Sequence, residues 1–216
     1  MTERAQTDRI VLLHGLWMPR LSMQWLARRL HAAGFVTETF GYPTIAGGPE
    51  MALPRLADRL RGRPAHVLAH SLGGLVTLSA LESQPDLPVA RVVCLGSPLC
   101  GSAAAERLAG QSWSAPYLGR SAGLLRNGCR LWQGPAAVGM IAGRTPLGLG
   151  RYFGRFEGEN DGTVAVAETR LPGLADHAVI PTSHTGLLFS PEVVRLAAGF
   201  FRDGRFPAGG STGVIE

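Results

Sequence analysis

The sequence predicts an α/β architecture: a mostly parallel β-sheet with helices on both faces and one long inserted segment. Three observations predict it. Short apolar runs alternate with stretches whose apolar residues recur at helical spacing, the order that successive parallel βα units produce. The strand-like runs are almost continuously apolar, as strands covered on both faces are. The chain has 216 residues, 45% of them hydrophobic and 17% charged, which suits a single domain with a sizeable core.

The elements follow in order. "RIVLLHG" (Arg9 to Gly15) is a buried strand closed by glycine. From Leu21 to Ala33, residues Leu21, Trp25, Leu26 and Leu30 mark one helix face, and Gly34 stops the helix. "FVTETF" (Phe35 to Phe40) is β-branched and aromatic, a strand followed by a Gly-Tyr-Pro turn. Met51 to Leu60 reads as a second helix, with Pro54 acceptable if it falls in the first turn. "AHVLAH" is a strand, "LGGLVTLSALES" a helix and "ARVVCLGSP" a further strand. Between Leu99 and Pro135 the texture turns to glycine, serine and alanine without a strand signal, and a connection this long is usually functional. "AAVGMIAG" and "HAVIPTSH" restore strand character, and "PEVVRLAAGFF" closes as a helix with Pro191 in its first turn. One domain is expected over 1–203, with 99–135 as a possible lid, and a frayed tail over 204–216.

The bulk properties exclude several classes of function. The net charge is +5, and every basic residue other than histidine is arginine. The arginines are scattered, not gathered in a stripe with aromatics, so no nucleic-acid surface is expected. No apolar run approaches the ~20 residues of a membrane helix, though contact with a lipid interface stays open. "MTERAQTDR" is polar and the "IVLL" run too short for a signal core, so a cytoplasmic protein is expected unless a leader has been removed. Three cysteines without a C-x-x-C give no metal spacing, and no cofactor is implied. Cys94 reads as core, and whether Cys100 and Cys129 pair is left open.

"VLAHSLGGLV" carries the chemistry. A strand running directly into a helix bends sharply, and the residue at the tip is held in a strained conformation. Positions two away on either side must be small, as Ala69 and Gly73 are. The bend projects the Ser71 hydroxyl beyond the sheet and aims the Leu72 amide at the same space. A serine hydroxyl needs a base oriented by a third group to become a nucleophile. Of six histidines, His31, His66 and His177 fall away from strand carboxyl ends, and His70 should point away from the serine. His184, in the loop before the last helix, is the expected base. Asp161, in a glycine-turned loop, is the expected orienting acid, with Glu157 and Glu159 as rivals. The Leu16 amide in "LLHGLW" could face that of Leu72 and complete an oxyanion site, with His14 bracing the loop.

"LLHGLW", "LAHSLGGLV", "GSPLCGS", "ENDGTV" and "SHTGLL" span Val11 to Leu188. In this order they resemble the α/β-hydrolase superfamily, and within it the small bacterial serine esterases and lipases. The resemblance implies an α/β-hydrolase fold with Ser71 as nucleophile, Asp161 as acid, His184 as base, and Leu16 and Leu72 as oxyanion amides. Ala69 stands where the first glycine of the serine motif is commoner. The activity implied is hydrolysis of a small-molecule or lipid ester through an acyl-enzyme, with short- to medium-chain acyl groups favoured. Thioester hydrolysis or acyl transfer by the same residues is the alternative, and a catalytically dead binding protein is the third. Trp17 and Met18 could line an acyl pocket. So could Trp113, Tyr117 and Trp132, unless they pack the inserted segment onto the core.

Overall fold

The computed structural model describes residues 7–16, 18–44, 48–101, 129, 131–147 and 158–209. They form, in chain order, β1 (Arg9–Leu13), α1 (Gln24–Ala32), β2 (Val36–Phe40), α2 (Gly48–Leu60), β3 (Ala65–His70), α3 (Leu72–Ser83), β4 (Val89–Leu95), β5 (Ala137–Gly143), β6 (Asp176–Ile180) and α4 (Pro191–Asp203). The strands make one sheet in the order β2-β1-β3-β4-β5-β6, and every pairing is parallel.

Alternation along each strand assigns the side chains to two faces. Val11, Leu13, Val67, Ala69, Val92, Cys94, Val138 and Met140 share one buried cluster with Leu56 and Leu60 of α2 and Leu75 and Val76 of α3. Ile10, Leu12, Leu68, Val93, Leu95 and Ile141 share the other with Leu26 and Leu30 of α1 and Leu196 and Phe200 of α4. The sheet is thus covered by helices on both faces, which is why its strands read as unbroken apolar runs. From β1 the chain moves outward to β2 and then returns to β3 on the other side of β1. That reversal opens a crevice between the loops that follow β1 and β3, the place where open α/β sheets bind ligands.

Helix boundaries depart from the sequence reading in two places. The first helix begins as a 3-10 turn over Arg20–Met23 and becomes α-helical at Gln24; Pro19 precedes it and short 3-10 turns are common at helix starts. The second begins at Gly48, so Pro54 lies inside it and not in its first turn. Burial of Ala52, Leu56, Ala57 and Leu60 offsets the donor that proline lacks. Helix α4 opens with Pro191 in its first turn, as expected; in addition the Ser190 hydroxyl accepts from the Val193 amide and Gly204 closes the helix at φ 77°.

The expected frayed tail is docked as far as it is described. Phe206 is buried against Phe200, with ring centroids 5.0 Å apart, and its amide donates to Asp176 Oδ2 at 2.7 Å. The centre of the expected lid, 102–128, lies outside the described residues. Its two ends are joined by a Cys100–Cys129 disulfide, while Cys94 is a free thiol that burial pushes up to about 12. Trp132 belongs to the core: it is buried and its Nε1 donates to the Ala136 carbonyl at 2.9 Å. Among the described residues no helix is long and apolar enough to cross a membrane.

Candidate functional site

Ser71 occupies the tip between β3 and α3 with φ 53° and ψ −122°, and it is the one non-glycine residue at positive φ among the described residues. Such a conformation costs on the order of 1–3 kcal/mol and must be held by its surroundings. The Ser71 amide donates to Leu95 O at 2.8 Å, and the Ser71 carbonyl accepts from Gly74 N at 3.0 Å. Its hydroxyl caps nothing in the helix, so helix capping does not account for a serine here.

The small residues around it have measurable reasons. A side chain on Gly73 would begin 2.9 Å from His14 O and 3.1 Å from Leu13 O, so glycine lets α3 start directly against the end of β1. One on Gly74 would collide with Ser97 Oγ. One on Gly15 would begin 2.9 Å from Ser71 Cβ and 3.0 Å from His70 Nδ1, which brings the loop after β1 into contact with the serine. Leu16 follows in that loop and Leu72 opens α3 immediately after Ser71.

His14 braces the loop, as its sequence position suggested, and it does so with a partner the sequence did not reveal. Tyr42 stacks on the His14 ring at 4.6 Å. Its hydroxyl donates to His14 O at 2.8 Å, and its amide donates to His14 Nε2 at 3.4 Å. With Nε2 accepting, Nδ1 carries the proton and donates to Gly15 O at 2.9 Å. Burial lowers the His14 pKa and keeps the ring neutral for this arrangement.

Asp161 and His184 come from separate loops and meet at 2.7 Å between Oδ2 and Nδ1. Both are buried, at 1% and 9% exposure. The other carboxylate oxygen, Oδ1, accepts from Thr163 N at 2.9 Å and Val164 N at 2.7 Å. Asp161 is therefore both an Asx-turn residue and the histidine's partner, one oxygen for each. The main chains lock the same geometry: His184 N donates to Asp161 O at 2.9 Å, and Asp161 N to Val164 O at 3.0 Å. Glu159 instead faces Arg144 at 3.5 Å on the surface, and Glu157 lies outside the described residues.

Two glycines at strand ends hold this pair close. Gly96, just past β4, has φ 53°, and a side chain there would begin 3.0 Å from Asp161 Oδ2 and 3.1 Å from His184 Nδ1. Gly143, the last residue of β5, lies where a side chain would meet Asp161 Cβ at 2.9 Å. Ser71, Asp161 and His184 thus gather at the carboxyl edge of β3, β4 and β5. The side-chain hydrogen bond of His184 goes to Asp161 and its carbonyl meets His70; among the described residues none reaches Ser71 Oγ. Catalytic contacts often tighten only when substrate is bound.

The remaining candidates separate. Trp17, Trp113 and Tyr117 lie outside the described residues. Met18 is half-buried against the α1–α4 side of the core. His177 is buried in β6 with Nε2 2.8 Å from Thr169 Oγ1, and burial lowers its pKa to about 4. His66 stacks on Phe201 at 4.9 Å, far from the carboxyl edge. Among the described residues no group of three or more His, Cys, Asp or Glu side chains could hold a metal ion. Tyr42, His70 and Gly96 were missed as site residues. Of these, only Gly96, the glycine directly after β4, gave a signal in the sequence.

No family model matches the sequence, and no curated protein matches it. Solved structures do. The mature form of the Bacillus licheniformis lipase BlEst2 superposes with a TM-score of 0.68 at 22% identity, over 85% of this chain and 87% of that one. The metagenomic carboxyl esterase MGS0156 gives 0.63 at 18% identity, over 84% and 65%. A pyrethroid hydrolase from Sphingobium faniae JZ-2 gives 0.62 at 15% identity, over 90% and 97%.

Proposed function

From the α/β-hydrolase fold that this chain has in common with those structures, we propose that it is a serine hydrolase cleaving carboxylic esters, with short- to medium-chain acyl groups preferred. Ser71 Oγ attacks the ester carbonyl while His184 Nε2 takes its proton. Asp161 Oδ2 holds His184 Nδ1–H and stabilises the imidazolium that forms. The amides of Leu16 and Leu72 receive the developing oxyanion, a contribution worth ~10²–10³ in rate per donor. The imidazolium returns its proton to the departing alcohol. Water, activated by the same histidine, then cleaves the acyl-enzyme. No cofactor takes part, and the substrate is a small-molecule or lipid ester.

The observation that carries this reading is the buried 2.7 Å Asp161–His184 pair at the sheet edge where the backbone of Ser71 is strained. A strained, uncapped serine and an imidazole oriented by a carboxylate, both delivered to one edge of the sheet, are the groups acyl transfer requires. The superposed lipase and carboxyl esterase favour the same substrate class. Purified protein should hydrolyse nitrophenyl butyrate, and Ser71→Ala should lower kcat by at least ~10⁴ while leaving the fold intact. Undiminished turnover by that variant refutes the assignment. Faster cleavage of an acyl thioester, or transfer to an added alcohol, would move the activity to the thioesterase or acyltransferase class. The Cys100–Cys129 disulfide favours an oxidising compartment over the cytoplasm.

A further inference from the structure

We propose that His70 is a positioning residue that fastens the loop bearing His184 to the turn bearing Ser71. The proposal rests on the serine-hydrolase reading. Strand alternation puts His70 on the same face of β3 as Leu68, the face covered by α1 and α4, whose core also holds Leu187 and Leu188 just after His184. The ring therefore points from the strand end into the His184 loop. His70 Nε2 lies 3.0 Å from His184 O, a contact between residues 114 apart in sequence. The two rings lie 4.6 Å apart at 52°.

The protonation state follows from the partner. A carbonyl oxygen only accepts, so Nε2 carries the proton and donates. Nδ1 is then bare, and it is buried without a hydrogen-bond partner among the described residues. It lies against Gly15, where a side chain would begin 3.0 Å away. One neutral ring thus touches the loop after β1, directly precedes the serine and holds the base's main chain. Burial, with a smaller repulsion from His184, lowers the His70 pKa to about 3, so the ring is neutral at neutral pH. His184 has two anchors: Asp161 turns its side chain and accepts from its amide, and His70 donates to its carbonyl. Loss of the second leaves the acid–base pair intact but frees it to drift relative to Ser71.

Two amide substitutions separate this role from simple packing. His70→Gln can place a side-chain N–H near the former Nε2, whereas the shorter His70→Asn reaches only the former Nδ1 position. The proposal expects kcat for a nitrophenyl ester to fall about 10- to 100-fold in His70→Asn, with KM within about twofold, and to recover most of that loss in His70→Gln. Hydrogen exchange of the peptide containing residues 181–186 should quicken about 10-fold or more in His70→Asn and stay near wild type in His70→Gln. Equal kcat and equal exchange in the two variants would overturn it, as would a loss expressed in KM alone. The exchange measurement does not need catalysis. A chain that cleaves no ester yet shows the Asn–Gln difference in exchange would sink the hydrolase reading and keep the fastening. If His70→Asn fails to fold, His70→Leu against His70→Gln supplies the same comparison; failure of both variants that lack a donor at the former Nε2 position while His70→Gln is folded and fully active also supports the fastening, and failure of all three overturns it.

Discussion

Gly96→Ala puts one methyl group behind the Asp161–His184 pair. Its Cβ would start 2.9 Å from Leu187 Cδ1, 3.0 Å from Asp161 Oδ2 and 3.1 Å from His184 Nδ1. Ordinary contacts need about 3.4 Å or more, so the neighbours must retreat by a few tenths of an ångström. The backbone cannot give way freely, because Gly96 N donates to Ile141 O at 2.9 Å. Alanine at φ 53° adds about 1–2 kcal/mol of strain. A 1 Å misplacement in an active site can cost ~10² in rate; a few tenths at the acid–base pair should cost roughly 10-fold. The methyl presses on the Nδ1 side of the imidazole, away from the substrate, so kcat should fall while KM holds. Steady-state kinetics on a butyrate ester, with circular dichroism to confirm folding, reads both quantities. A folded Gly96→Ala enzyme with wild-type kcat would refute the claim that this glycine keeps the pair in register.

Two further predictions concern stability. Burial lowers the pKa of His14, and lowers those of His66, His70 and His177 to about 4, 3 and 4; in the unfolded chain each titrates near 6.5. Unfolding below that value takes up protons, so stability should decline as pH falls from about 6.5 towards 4; urea titrations from pH 7 to 4.5 showing a flat or rising midpoint would contradict this. The Cys100–Cys129 disulfide closes a separation of 29 residues, and its loss should cost roughly 3–4 kcal/mol by the chain-entropy relation. Alkylation of denatured, unreduced protein should modify Cys94 alone, and labelling of all three cysteines would show that the bridge does not form.

Much of the fold could be read from the chain because its dominant signals are local. The strand at Ala65–His70 and the helix at Leu72–Ser83 abut at one serine among small residues, and no other local structure explains that composition. His184 could be singled out among the histidines by which end of a strand it follows, since parallel strands deliver their trailing loops to one edge; Asp161 shares its loop with Glu157 and Glu159, and its separation from Glu159 shows only in space, where Asp161 meets His184 and Glu159 meets Arg144. Long-range contacts were hidden. Phe206 looks like tail residue until its amide meets Asp176, 30 positions away. Trp132 looks like a pocket aromatic until its indole is seen folded over Gly134, where a side chain would strike the ring. Tyr42 sat in an ordinary turn signal; its contact with His14 exists because β1 and β2 are neighbours. Gly96 read as the end of a strand, although its importance lies in what stands behind it in space.

Under the proposed mechanism Ser71 is made nucleophilic by His184 under the control of Asp161. Intact-mass analysis of the protein after exposure to an alkyl fluorophosphonate, with peptide mapping of the adduct, tests it most directly. One adduct on Ser71 is expected, lost in Ser71→Ala and formed far more slowly in His184→Ala, with His177→Ala reacting like wild type. No adduct on the folded protein, or an adduct at Ser71 that forms equally fast without His184, would contradict it.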